Sequence, residues 1–75
     1  MCEFKVFVKR GGREEAVAED IVYAKDEGSS IVLKDVLGNS VKVGNASILE
    51  VDVEAERLIL AENTTPRERV DKGIR

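Results

Sequence analysis

Period-two alternation, broken at short intervals by glycine and asparagine, governs what this chain can fold into. Leu49, Val51 and Val53 alternate with Glu50 and Asp52, the pattern of a strand with one buried face. Near the start, Cys2, Phe4, Val6 and Val8 alternate with Glu3, Lys5 and Lys9. Phe7 interrupts the polar side and is expected to pack under a neighbour. Gly11-Gly12 ends that segment, because paired glycines supply the positive φ of a tight turn. Ile21–Ala24, Ile31–Leu33 and Val41–Val43 read as further short strands, with Asp26–Ser29, Gly38-Asn39 and Gly44-Asn45 as turns between them. Lys42 is expected to face out and its flanking valines in. Glu54-Ala55-Glu56 turns the chain into Leu58-Ile59-Leu60, apolar on both faces and so either central or covered by a partner. Glu14–Asp20 is rich in acid and alanine, which permits one helical turn but not an independent helix.

Five or six short strands with regular turns predict an all-β fold, a small antiparallel barrel or sandwich. At 75 residues the chain holds one domain, placed at 1–62, followed by a charged tail at 63–75. The tail is expected to be weakly ordered or a short helix. Thr65-Pro66-Arg67-Glu68 places a capping threonine, a first-turn proline and a glutamate three residues after the cap, and Gly73 is placed to end the helix. Val70 and Ile74 are its apolar anchors. So small a core, with Leu58–Leu60 apolar on both sides, predicts a homodimer.

Composition removes whole classes of function. The chain has no histidine and a single cysteine, so there is no Ser/His or Cys/His nucleophile pair, no histidine metal ligand and no internal disulfide. The carboxylate pairs Glu14/Glu15 and Asp26/Glu27 sit beside turns, without apolar surroundings to shift a pKa, and read as solvated charge rather than acid–base machinery. Gly11-Gly12-Arg13 lacks the strand and helix context of a phosphate loop and reads as a hairpin turn. No enzyme is expected. No segment has the apolar length of a signal peptide or membrane span, and the lone thiol suits a reducing compartment; the expected location is the cytoplasm.

Charge weighs against nucleic acid. Residues 1–62 hold eight Lys and Arg against thirteen Asp and Glu, net −5, while residues 63–75 hold four against two, net +2. An acidic body repels phosphate backbones. Phe4, Phe7 and Tyr23 are the only aromatic rings, and the core needs some of them. RNA binding through Lys9, Arg10, Arg13 and the tail arginines therefore stands as the alternative reading, with a structural or adaptor role beside it.

Cys2 is the candidate metal ligand. It shares parity with Phe4, Val6 and Val8, and on that pattern alone is a small buried hydrophobe. Its position opens a second reading. With Met1 removed, the α-amine and thiolate form a five-membered chelate. With Met1 retained, its amine, the Cys2 amide nitrogen and the thiolate form fused rings. Either nitrogen and sulfur set suits square-planar Ni(II) or Cu(II).

The Met-Cys-Glu opening leading directly into an apolar strand, with a late hairpin from Val51-Asp52-Val53 to Leu58-Ile59-Leu60, resembles the CooT family from Met1 to about Glu62. The resemblance implies a small SH3-like or Sm-like β-barrel. It also implies a homodimeric nickel-binding accessory protein that serves maturation of nickel carbon monoxide dehydrogenase, with Cys2 as the metal-binding position and Ni(II) as its ion. Relatives have also been labelled RNA-binding by analogy of fold, a warrant that carries little about function.

Overall fold

The computed structural model describes residues 3–63. Six strands, and no helix among the described residues, form one sheet: β1 (Phe4–Arg10), β2 (Arg13–Asp26), β3 (Ser30–Asp35), β4 (Ser40–Gly44), β5 (Ala46–Asp52) and β6 (Arg57–Glu62). Their order across the sheet is β4-β3-β2-β1-β6-β5. Strands β1 to β4 form an antiparallel meander and β5 with β6 a hairpin. The two units join where β6 runs parallel to β1. The sheet is thus antiparallel except for that one pair.

The turns fall where the sequence places them, and their backbone shows why. Gly11 and Gly12, at φ 54° and 81°, close the β1–β2 hairpin, a conformation that costs glycine little. Asn45 alone, at φ 53°, separates β4 from β5. Those strands are the two edges of the sheet, so a one-residue corner requires the sheet to curl until its edges approach. The corner is held from both sides, for Asn45 N–H donates to Ser29 O and Asn63 N–H donates to Asn45 O. The result is a curled six-strand half-barrel.

Its concave face holds the core. Val6 and Val8 on β1, Ile21 on β2, Ile31 and Leu33 on β3, Ala46 on β5, and Leu58 and Leu60 on β6 pack into one buried cluster. The parallel pair carries its centre, with Val6 opposite Leu58 and Val8 opposite Leu60. Ile59 points to the other face and is also buried. It lies opposite Phe7, whose ring carries the Arg57 guanidinium at 4.7 Å. Leu58–Leu60 therefore needs no partner subunit to cover it, because β6 lies between β1 and β5. Val43 packs against the core as expected, while Val41 is at the rim, 43% exposed.

Two expectations change. Residues 14–20 are not a helical turn but the first half of β2. There Ala16 lies opposite Phe7 and Ala18 opposite Val6, and Val17 and Ala18 pack against the core. Pairing along β1 outweighs the weak helical preference of a short acidic run. The alternation at Leu49, Val51 and Val53 does not mark a buried face either, since the three are 53%, 54% and 62% exposed. β5 is an edge strand, and a bulge lies between Ile48 and Glu50, so the inward parity changes partway along it. The expected helix in the tail lies outside the described residues. Among the described residues, no helix is long and apolar enough to cross a membrane.

Leu33 is wholly buried and Leu37 is 83% exposed. Leu33→Ala is expected to lower unfolding free energy by about 2–5 kcal/mol, the range for a core cavity that relaxes incompletely. Leu37→Ala should leave stability within about 0.5 kcal/mol. Urea unfolding of both variants checks the assignment, and equal losses would contradict it.

Candidate functional site

The described residues contain no group of three or more His, Cys, Asp or Glu side chains placed to hold a metal ion. The carboxylates singled out in the sequence are used in other ways. Glu14 accepts from Arg57 at 2.7 Å, and Glu15 and Glu62 both accept from Arg10. Hydrogen bonds donated to Glu15 first and Glu62 second hold the Arg10 guanidinium above its usual pKa. Arg10, one of the cations an RNA patch would need, is thus matched by two carboxylates. Glu27 lies 3.8 Å from Lys42, and Asp26 caps its own turn by accepting from Gly28 N–H at 2.8 Å.

Asp35 has a clear structural task. One carboxylate oxygen accepts from the backbone N–H groups of Leu37 and Asn39, each at 2.9 Å, and the other from Asn39 Nδ2 at 3.2 Å. Hydrogen bonding, led by the Asn39 backbone N–H, holds the Asp35 carboxyl below its ordinary value. These bonds pin the β3–β4 hairpin, which is further tied to β2 by Val36 N–H donating to Asp20 O.

Cys2 lies outside the described residues. What the structure does define is the end of the sheet into which it leads. β1 begins at Phe4, and Lys5 N–H donates to Glu56 O at 2.9 Å. The start of β1 is thereby fixed against the β5–β6 turn. That turn is itself closed by Ala55 N–H donating to the Asp52 carboxylate and by Glu56 at φ 56°. Beside it opens an apolar groove of about 230 Å³, with Phe4, Ile21, Tyr23, Ile48, Val51 and Leu58 among its lining residues. Its origin is local. The register of β1 against β2 shifts between Phe4 and Val6, and Asp20 takes φ 57° just before Ile21. The groove lies where that regular register is interrupted.

Sequence reasoning did not find this groove. It draws Ile48 and Val51 to one side of β5 although their spacing is odd, and only the bulge at Leu49 makes that possible. The signal available was the apolar pair Ile48-Leu49 ahead of an otherwise strict alternation. Among the described residues, the groove's lining carries no carboxylate and, apart from the Tyr23 phenol, is apolar.

The sequence profile of the CooT family, described as CO dehydrogenase accessory protein CooT, matches residues 1–61. Among solved structures, a Carboxydothermus hydrogenoformans protein assigned to CooT superposes with a TM-score of 0.72 at 23% identity, covering 81% of this chain and 97% of that one. That likeness bears on the fold. No curated protein sequence matches the chain.

The Asp35 carboxyl titrates lower in the folded state than in the unfolded one, so its contribution is present above the unfolded value near 3.9. It is lost as pH falls through the folded value. Asp35→Ala should therefore lower the thermal midpoint at neutral pH, and the gap from wild type should close as the solution is acidified below the carboxylate range. Thermal melts of both proteins across that range check this, and a gap independent of pH would refute it.

Proposed function

The chain belongs to the CooT family of CO dehydrogenase accessory proteins, and from that membership we propose that it serves CO dehydrogenase maturation as a non-catalytic carrier of Ni(II), held through the Cys2 thiolate. The observation that carries this reading is the extent of the family match, which begins at Met1 and includes the only cysteine. Donor chemistry supports it. A thiolate with neighbouring backbone nitrogen is a soft, strong-field set that suits square-planar Ni(II), and carboxylate oxygens do not compete well for that geometry. The described residues gather no rival cluster, and the chain has no histidine.

A cargo site differs from a resident one in what it must allow. A tetrahedral cage of four protein ligands would hold the ion too closed for transfer. One thiolate at the end of a chain leaves coordination positions for an acceptor. Pairing of two copies would bring two thiolates to one ion across a two-fold axis. Leu49 on the edge strand β5 and Val53 in the turn after it are both exposed, which supports such a homodimer, since an uncovered apolar edge favours strand or face pairing.

Cys2→Ser replaces the thiolate with a hydroxyl that stays protonated at neutral pH. Nickel affinity should fall by about two orders of magnitude or more, while the thermal midpoint of the metal-free protein changes little. Isothermal titration with Ni(II), run beside native mass spectrometry, reads affinity, metal count and oligomeric state together. The expected wild-type species is a dimer that takes up nickel. Nickel affinity unchanged in Cys2→Ser would overturn the thiolate site, and a monomer at tens of micromolar would overturn the homodimer.

A further inference from the structure

We propose that the outer edge of β5, with the groove beside it, takes an extended segment of a protein partner as a seventh strand. The segment that fits alternates apolar side chains with lysine or arginine.

β5 is open on both faces and along its outer edge. It ends the sheet, and among the described residues its only strand neighbour is β6. The outer row of backbone N–H and C=O groups is therefore a template for one more strand. The corner at Asn45 closes the beginning of that row, where Ala46 is buried, so the free stretch is Ile48–Asp52. Residues Ile48 to Val51 are all exposed, although successive side chains of a strand point to opposite faces. Neither face is covered. The bulge at Leu49 does not end the edge, because Glu50, Val51 and Asp52 pair in regular register with Ile59, Leu58 and Arg57. The other edge differs: β4 has five residues and carries Lys42, the kind of charge that discourages strand addition.

Register sets the chemistry of the occupant. Ile48 and Val51 lie opposite the core residues Leu60 and Leu58, so they share the core side and line the groove. Glu50 and Asp52 lie opposite Ile59 and Arg57, on the other side. A strand laid along this edge thus meets apolar side chains at one parity and carboxylates at the other. Residues 46–56 hold four carboxylates and no Lys or Arg. Of these, Glu50, Glu54 and Glu56 form no ion pair among the described residues, and Asp52 caps its own turn. The complement is a period-two segment, apolar toward the groove and basic away from it. A second β5 is the poorer occupant, since two such edges would double the negative charge with no cation to offset it. Pairing of two copies falls to the faces instead.

The test is nuclear magnetic resonance on the full metal-free chain, titrated with short synthetic peptides. One peptide alternates valine with lysine. A second has the same composition with its lysines grouped at one end, and a third carries glutamate in place of lysine. The alternating peptide should shift the amide resonances of Ile48–Asp52, slow their hydrogen exchange and leave β4 unchanged. It should bind about tenfold or more tightly than either control. Glu50→Lys should weaken its binding by about fivefold, with Val8 and Leu33 keeping their resonances as the sign of an intact core. Equal binding of the alternating and grouped peptides would overturn the proposal, as would shifts spread over the acidic surface or no binding at all. So would contacts between copies along β5 in a mixture of labelled and unlabelled chains without peptide, since a second molecule would then hold the edge. None of these readouts involves nickel, so the result stands or falls apart from the metal reading.

Discussion

The parallel pairing of β1 with β6 is the contact on which the rest of the sheet depends. It is the only link between the β1–β4 meander and the β5–β6 hairpin within the ladder of the described strands. It also brings together the start and the end of the described chain. The entropy of closing so long a loop is regained because both strands bury one side in the same cluster, Val6 against Leu58 and Val8 against Leu60. With β6 set between β1 and β5, β4 and β5 become the edges, and the single-residue corner at Asn45 then curls the sheet. The half-barrel follows from one long-range pair and one short corner.

The same pair decides where function can reside. Because β6 runs parallel to β1, the turn that feeds β6 lies at the end where β1 begins, and Lys5 N–H to Glu56 O ties them together. The bulges in β2 and β5 and the positive φ of Asp20 interrupt the regular strand register at that end. An apolar groove, a fixed turn and the approach from Cys2 therefore share one end of the sheet. The opposite end is closed by polar contacts, Arg10 with Glu62 and Ser47 with Asn63.

Much of the fold was legible because glycine and asparagine marked the corners. Gly11-Gly12, Gly28, Gly38 and Asn45 all take positive φ, and the strands between them follow from period-two patterning. What was not legible depended on neighbours that a sequence does not display. Residues 14–20 became strand because Phe7 and Val6 lie opposite Ala16 and Ala18. Leu58–Leu60 looked the same whether central or at an interface, and pairing on both sides made it central. Leu49, Val51 and Val53 carried the cleanest alternation yet lie on an edge strand and the turn after it, where alternation no longer reports burial. The groove was hidden because a bulge reassigns parity. Cys2 stands out as the single cysteine of the sequence, and the family match spans it.

The central claim is that a sulfur ligand from Cys2 holds nickel. X-ray absorption at the nickel edge, on the full chain loaded with Ni(II), reads the ligand atoms directly. Wild type should show sulfur in the first coordination sphere together with nitrogen, in a spectrum typical of square-planar geometry, and Cys2→Ser should lose the sulfur contribution. A first sphere made only of oxygen and nitrogen in wild type would contradict the account.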